Sequence, residues 1–138
     1  MFFPDISNYL VSRKFRHSIY LLYKHYINFR PFDAHRLCGN FGAHLVELDS
    51  LEEQDFLQKL VIQSNNTNKY VFVGVTDLMH EGTFIHFFSG KPMPTLRWKK
   101  GNPDNWQEQD CVEINWYGLN DVRCLLRGSF ICEIRFDY

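Results

Sequence analysis

Residues 101–121 are the part of this sequence best suited to binding a cation. This segment has five acidic residues and no Lys or Arg, whereas residues 1–36 have six Lys/Arg and only two acids. The five acids are Asp104, Glu108, Asp110, Glu113 and Asp121. Calcium takes oxygen ligands from carboxylates and amides, so this composition favours a cation site over an anion site. A solvated acidic loop is the alternative interpretation.

The sequence also contains four widely spaced cysteines, Cys38, Cys111, Cys124 and Cys132. They form no Cys-x-x-Cys pair, and the six histidines do not cluster beside them, which disfavours a tetrahedral zinc site. An even number at wide spacing favours two disulfides and an oxidising compartment. Spacing alone leaves three pairings open. A reduced cytosolic zinc protein is the remaining alternative.

Composition limits the class of protein. A chain of 138 residues has the length of one domain, and 45% hydrophobic with 17% aromatic residues excludes a disordered tail. A net charge of −1 excludes a chain that binds polyanions with its whole surface, so we expect no nucleic-acid partner. No Ser/His/Asp, Cys/His or phosphate-loop pattern is present. We therefore predict that the protein is not an enzyme, with a glycosidase built on Asp104 and Asp121 as a remote alternative.

Two helices are predicted early in the chain. Pro31 suits a first helical turn, and the apolar residues after it recur at approximate helical spacing until Gly42, which ends the helix. Ser50 and Glu53 have the spacing of a capping box. The helix that follows them is predicted to end near Ser64.

Short strands are predicted over most of the remaining chain, at residues 18–29, 45–48, 70–75, 83–88, 111–115, 122–124 and 129–135. Two early helices and many late strands, without βαβ alternation, predict an α+β fold with an antiparallel sheet. Glycine and proline punctuate residues 89–105, which we expect to form one large functional loop. Residues 1–17 are predicted to be an N-terminal leader segment and residues 18–138 the folded domain.

The sequence resembles the C-type lectin-like family over approximately residues 18–135. The resemblance rests on residues 34–38, 42–46 and 73–75, Trp98, residues 101–104, 110–111 and 119–121, Cys124, and residues 130–133. Each match is weak alone, but they occur in the family's order with four cysteines at matching intervals. The resemblance implies a C-type lectin-like fold with a long irregular ligand-binding loop. It also implies disulfides Cys38–Cys132 and Cys111–Cys124.

The resemblance further implies a calcium-dependent carbohydrate site. In sugar-binding members, calcium contacts two neighbouring sugar hydroxyls while its protein ligands hydrogen-bond the same hydroxyls. The corresponding ligands here are Asn102, Asp104, Gln109, Asn120 and Asp121. Asn102 replaces a glutamate or glutamine and Gln109 a glutamate, so two carboxylates stand where the family has three. We expect weak calcium binding, with a dissociation constant of about 10⁻⁴–10⁻³ M. A shift of the loop by one residue would restore the third carboxylate by making Glu108 a ligand.

Two further features concern specificity and a second ion. The order amide then carboxylate, in Asn102 and Asp104, favours galactose over mannose; in the family the intervening proline follows a cis peptide bond. Trp106 is predicted either to stack on the sugar or to anchor the loop. An accessory calcium site is implied at Asp77, Glu81, Asn105 and Asp110. The alternative for Glu81 is a cap on the turn before Gly82.

The resemblance also bears on location and partners. We expect a secreted or extracellular protein of innate recognition, although Pro4, Asp5 and Asn8 stand where a signal peptide needs an apolar stretch. We expect no membrane insertion, because the apolar residues 19–22 are too few to span a bilayer. A galactose-containing glycan is the expected ligand, and homo-oligomers would raise avidity. The alternative is a domain that has lost sugar binding and recognises a protein through Trp106, Trp116 and Tyr117.

Overall fold

The computed structural model of this chain describes residues 6–25, 29–104 and 108–136. Within them the elements, in chain order, are β1 (Tyr9–Val11), β2 (Ser18–Tyr23), α1 (Pro31–Gly39), β3 (His44–Leu45), α2 (Leu51–Gln63), β4 (Val71–Thr76), β5 (Ile85–His86), β6 (Cys111–Asn115), β7 (Gly118–Val122) and β8 (Ser129–Arg135). The α+β class and the two early helices are confirmed. No helix among the described residues has the length and apolar character needed to cross a membrane.

Both helices begin where the sequence predicted. Pro31 occupies the first turn of α1, which ends at Gly39, and Gly42 at φ 79° then turns the chain toward β3. The Ser50 side chain caps α2 by accepting a bond from the Glu53 N–H. The Glu53 carboxylate does not complete a capping box, since it accepts the N–H of Asp49 at 2.7 Å and the Tyr20 hydroxyl instead. Tyr20 of β2, whose ring also contacts Phe56 of α2, thus holds the Glu53 side chain away from the Ser50 N–H.

The strands form one sheet in the order β1-β2-β8-β4-β6-β7, with β3 paired to β8 and β5 to β4. All pairs between named strands are antiparallel except β4–β8, where Val71 faces Ser129. All six residues of β4 are buried, so this strand lies at the centre of the core. The sheet is therefore mainly antiparallel, as predicted, with one parallel pair at its centre.

Two disulfides join distant parts of the chain, and none of the cysteines is free. Cys38–Cys132 ties α1 to β8 across 94 residues with a Cα–Cα distance of 5.5 Å. Cys111–Cys124 joins the start of β6 to the segment after β7, across 13 residues. The pairing implied by the family resemblance is confirmed. By chain-entropy arguments, the longer bridge contributes about 4.7 kcal/mol and the shorter about 3 kcal/mol.

Strand β1 lies inside residues 1–17, the segment predicted to be a leader. Tyr9 pairs with Tyr23 at the start of the β1–β2 ladder, and the Tyr9 ring packs edge-on against Phe130 and Phe41. Strand β1 was not predicted, because three residues carry too short a pattern and its stability comes from cross-strand aromatic contacts. Where the domain begins stays a prediction.

Candidate calcium and glycan site

The loop predicted to bind ligand is held against β7 by backbone contacts. The Leu119 N–H donates to the Arg97 carbonyl at 3.0 Å, and the Lys99 N–H donates to the Leu119 carbonyl at 2.7 Å. Gly118 allows this approach, because a Cβ there would lie 2.9 Å from the Arg97 carbonyl oxygen and its φ is 108°. Residues 97–99 therefore enter the site as an added strand-like segment.

Gln54 on α2 anchors the same segment from the other side. Its side chain is fully buried and forms two hydrogen bonds with the Arg97 backbone, one as donor and one as acceptor. The Gln54 Nε2 donates to the Arg97 carbonyl at 2.8 Å, and the Arg97 N–H donates to the Gln54 Oε1 at 3.0 Å. Sequence reasoning missed this residue. The available signal was an amide side chain beside the apolar stripe of α2.

Asp104 and Asp121, the two acidic residues of the predicted sugar site, are in contact. The Asp104 N–H donates to the Oδ2 of Asp121 at 3.0 Å. Asp121 is buried in β7 at 1% exposure, whereas Asp104 is exposed on the loop. Asn102, which precedes them, is half-buried, and its peptide bond to Pro103 is cis. The backbone of an exposed acidic loop residue thus contacts a buried strand carboxylate.

Asn120 and Asp121 follow each other in β7 and have different hydrogen-bonding surroundings. The Asn120 amide nitrogen donates to the Glu113 Oε2 at 3.1 Å, and the Tyr117 hydroxyl donates to the same oxygen. Glu113 is fully buried in β6, and burial raises its pKa. This arrangement holds the Asn120 amide through its nitrogen and leaves its Oδ1 as the atom that could bind a cation. Glu113 is a positioning residue that sequence reasoning did not select.

Gln109 lies two residues before β6 and is half-buried. Its Oε1 is buried and has no hydrogen-bond partner in the described part of the chain. A buried amide oxygen without a donor is costly, and a bound cation would satisfy it. Of the other predicted site residues, Asn105 and Trp106 lie outside the described residues.

The predicted accessory site is brought together by two loops. One oxygen from each of Asp77, Glu81 and Asp110 lies within 4.8 Å of the other two. The Asp77 N–H donates to the Asp110 carbonyl at 3.2 Å, which joins the end of β4 to the residue before β6. The Gly82 N–H donates to the Asp77 Oδ2 at 3.0 Å, so Asp77 contributes a cap to the turn before Gly82.

The electrostatics of this cluster fit a cation. Asp77 is 2% exposed, and the Oδ1 atoms of Asp77 and Asp110 are buried with no hydrogen-bond donor within the described ranges. Burial raises the pKa of Asp110, and the neighbouring carboxyl of Asp77 raises it further. Neighbouring carboxylates, two of whose buried oxygens have no donor, are the kind of oxygen ligand that calcium prefers.

Comparisons with known proteins identify the family of this chain. Residues 31–134 match the family described as the lectin C-type domain. The CD209 antigen of Macaca mulatta is 40% identical over 104 residues, which cover 73% of this chain and 25% of that protein. The human CD209 antigen is 38% identical over 104 residues, with the same two coverages. The chain thus spans about a quarter of the length of these curated relatives.

Solved structures give the same result over nearly the whole chain. The carbohydrate-recognition domain of the mouse scavenger receptor C-type lectin superposes with a TM-score of 0.77 at 27% identity, covering 96% of this chain and 97% of that one. The cow CD23 carbohydrate-recognition domain, determined in the presence of a GlcNAc2Man3 oligosaccharide, gives a TM-score of 0.78 at 25% identity, with 96% of each chain covered. With the two disulfides and the loop geometry described above, these matches show that this chain belongs to the C-type lectin domain family.

Proposed function

We infer that this domain binds a glycan through a calcium ion held between the loop of residues 102–104 and strand β7. The observation that carries the proposal is the contact between the Asp104 backbone and the buried Asp121 carboxylate. This contact supports the proposal because it brings the backbone of one charged ligand candidate to the carboxylate of the other. Calcium, when bound, would offer open coordination positions to two neighbouring sugar hydroxyls.

The chain's own residues would then orient the sugar. Asn102 and Asp104 flank the turn at Pro103, so the exposed Asp104 carboxylate and the Asn102 amide would hydrogen-bond the hydroxyls. Asn120, held by Glu113, and Gln109, with its unsatisfied Oε1, would complete the ligand set. With two carboxylates the site is weakly charged, so millimolar calcium is the expected working range, at about 10⁻⁴–10⁻³ M.

Galactose is the sugar that the loop sequence favours, because Asn102 places an amide before the Asp104 carboxylate. Mannose-type recognition is the competing candidate, and the similarity to the cow CD23 domain seen with a GlcNAc2Man3 oligosaccharide supports it. The distinction depends on which hydroxyl pair the amide and carboxylate can hydrogen-bond around the ion.

The accessory cluster of Asp77, Glu81 and Asp110 is proposed to hold a second calcium ion. Through the Asp77–Asp110 backbone contact this ion would tie β4 to the segment that carries Gln109. Its binding would stabilise the folded loop by mass action. Calcium would thus both assemble the site and contact the sugar.

Affinity chromatography tests the proposal. The oxidised protein is applied to galactose and mannose resins in millimolar calcium and eluted with chelator. Retention on either resin with release by chelator supports calcium-dependent binding, and the resin identifies the sugar. Asp121→Asn should abolish retention, whereas Asp33→Asn, a surface carboxyl on α1 that pairs with Arg36, should not. Retention that survives chelator would contradict the mechanism.

A protein-binding domain without sugar recognition is the second candidate. Trp116, at the tip of the β6–β7 hairpin, is 61% exposed and contacts Tyr117 edge-on. Exposed aromatic pairs of this kind are common at interface hot spots. No retention on either resin, together with unchanged melting on calcium addition, would favour this candidate. We propose no catalytic turnover in either case, and aryl glycoside hydrolysis abolished by Asp104→Asn would overturn that.

The proposed location is extracellular. Both disulfides described above are of the structural kind that persists in oxidising compartments, and all four cysteines are paired. Thiol titration of the unfolded native protein checks this, with no free thiol expected and four free thiols contradicting it. Homo-oligomers would raise avidity for a glycan surface, and light scattering measures whether they form.

A further inference from the structure

The connection between β1 and β2 is a tight basic turn. The N–H groups of Phe15 and Ser18 donate to each other's carbonyls at 2.8 and 3.0 Å, with Arg16 at φ 55° inside the turn. The connection, residues 12–17, places the side chains of Arg13, Lys14, Arg16 and His17 in solvent. We call this segment the basic turn. It lies in the part of the chain that sequence analysis assigned to a leader.

Aromatic rings hold three of these cations in place. The Arg13 guanidinium lies 4.8 Å from the centre of the Phe56 ring on α2, and the Lys14 ammonium lies 5.5 Å from the Phe136 ring. Arg16 lies 5.4 Å from the Phe15 ring, which itself stacks on Phe56 at 4.5 Å. Cation–π contacts of this kind reduce side-chain freedom while leaving the charge exposed. The cations are therefore preorganised rather than dispersed in solvent.

A groove runs between this turn and α2. It encloses about 390 Å³ and is lined by Val11, Ser12 and Arg13 on one side and by Phe56, Lys59 and Leu60 on the other. Three of its seven lining residues are apolar, Gln63 is the seventh, and each side carries one cation. No carboxylate lines it among the described residues. A local positive field can therefore exist on a chain whose net charge is −1.

Neighbouring acids offset this field only in part. Glu52 lies 3.8 Å from Arg16, with both side chains more than half exposed, so solvent screens the pair. Asp55, one turn from Lys59 on α2, is paired to Arg97. Arg13, Lys14 and Lys59 have no carboxylate within ion-pair distance among the described residues.

We propose that the basic turn and its groove bind a sulfated polysaccharide, independently of calcium. Repeated sulfate groups would meet the cations on both walls, and the apolar faces of sugar rings would contact Val11, Phe56 and Leu60. The concave shape suits a linear chain rather than a flat lipid surface. None of these residues belongs to the calcium sites proposed above, so the two ligands would bind separately.

Heparin is the probe for this site, used in a buffer with chelator so that the calcium sites are inactive. Wild type should bind and should elute with salt, because counterion release drives such binding. Arg13→Gln/Lys14→Gln should weaken the affinity about tenfold or more, at the usual contribution of basic residues near polyanions. Lys59→Gln, on the opposite wall, should weaken it about fivefold.

A matched control removes two charges elsewhere. Lys91 and Arg123 are exposed on loops away from the groove lining, so Lys91→Gln/Arg123→Gln should bind heparin as wild type does. An equal loss of heparin affinity in the control and in both groove variants would overturn the site. Equal affinity for heparin and for its N-desulfated and O-desulfated forms would overturn it as well. Binding to phosphatidylserine vesicles without binding to heparin would replace the proposal with a membrane surface. Thermal unfolding midpoints show whether each variant folds, and Lys59→Gln tests the groove without altering the turn.

Discussion

The backbone N–H of Asp104 and the Oδ2 of Asp121 lie 3.0 Å apart, so a loop residue and a buried strand carboxylate share one hydrogen bond. In this contact Asp121 holds the loop through one oxygen, and in the proposed calcium site it would also supply charge for the cation. The two functions can be separated by a substitution that keeps the acceptor and removes the charge.

Asp121→Asn is that substitution. The amide oxygen can still accept the Asp104 N–H, so we expect the free energy of unfolding without calcium to change by no more than about 1 kcal/mol. Calcium affinity at the sugar site should decrease at least about tenfold, since one of two carboxylates is lost. Calcium titration followed by tryptophan fluorescence measures the affinity. Equal loss of stability and affinity would contradict the separation.

Asp77→Asn should remove the stabilising effect of calcium on the fold. Calcium at a hundred times its dissociation constant stabilises a protein by about 2.7 kcal/mol, and most of this gain should disappear in the variant. In chelator the variant should be at least as stable as wild type, because the Gly82 N–H keeps its acceptor and the like-charged contact with Asp110 is gone. Thermal unfolding with and without chelator tests both expectations. A full calcium-induced increase in Tm in the variant would exclude Asp77 as a ligand.

Gln54→Ala should loosen the ligand loop. The substitution removes two hydrogen bonds to the Arg97 backbone, each worth about 1 kcal/mol, so we expect a loss of about 2–3 kcal/mol in the free energy of unfolding. Retention on the sugar resin should weaken as well, because residues 97–104 lose an anchor. Urea denaturation gives the stability. Gln63→Ala, an exposed residue on the same helix, is the control, and an equal effect of both changes would disprove the anchoring role.

Glu53→Gln should alter how stability depends on pH. Burial raises the pKa of Glu53 from its ordinary 4.5 to about 7. The folded state therefore binds this proton more tightly than the unfolded state does, and the associated stability is complete below pH 4.5 and lost as pH rises toward 7. Removing the charge should stabilise the protein above pH 7 by at most about 3 kcal/mol. Burial also raises the pKa of Glu133, so some pH dependence should remain in the variant.

Urea denaturation across pH 4 to 8 measures this difference. The glutamine keeps an acceptor for the Asp49 N–H, but it can present an N–H to the Tyr20 hydroxyl where the carboxylate offered an acceptor. The change of the stability difference with pH, rather than its size at one pH, therefore reports the charge. Glu52→Gln, the exposed neighbour on α2, should leave the pH profile close to that of wild type. If the difference in the free energy of unfolding between Glu53→Gln and wild type does not increase with pH, the raised pKa of Glu53 is contradicted.

The sequence predicted the two helix starts well because their signals are local. Pro31 and the Ser50 cap lie next to the residues that they affect. The predicted strand at residues 122–124 was displaced, since β7 spans Gly118–Val122. A strand's position depends on its partner, and the ladder with β6 pairs Asn115 with Gly118 and Cys111 with Val122.

The sequence by itself determined the class of fold, the order of the family's motifs and the chemical types of the ligand residues, because these depend on residue type and spacing. The tertiary structure decided which of those residues meet. Only the folded chain brings Asp77 to Asp110 and Gln54 to Arg97, and directs Glu53 toward Tyr20 rather than its own helix cap. The physical reason is that these contacts join residues 33 to 43 positions apart, so packing between elements creates them and no local pattern records it.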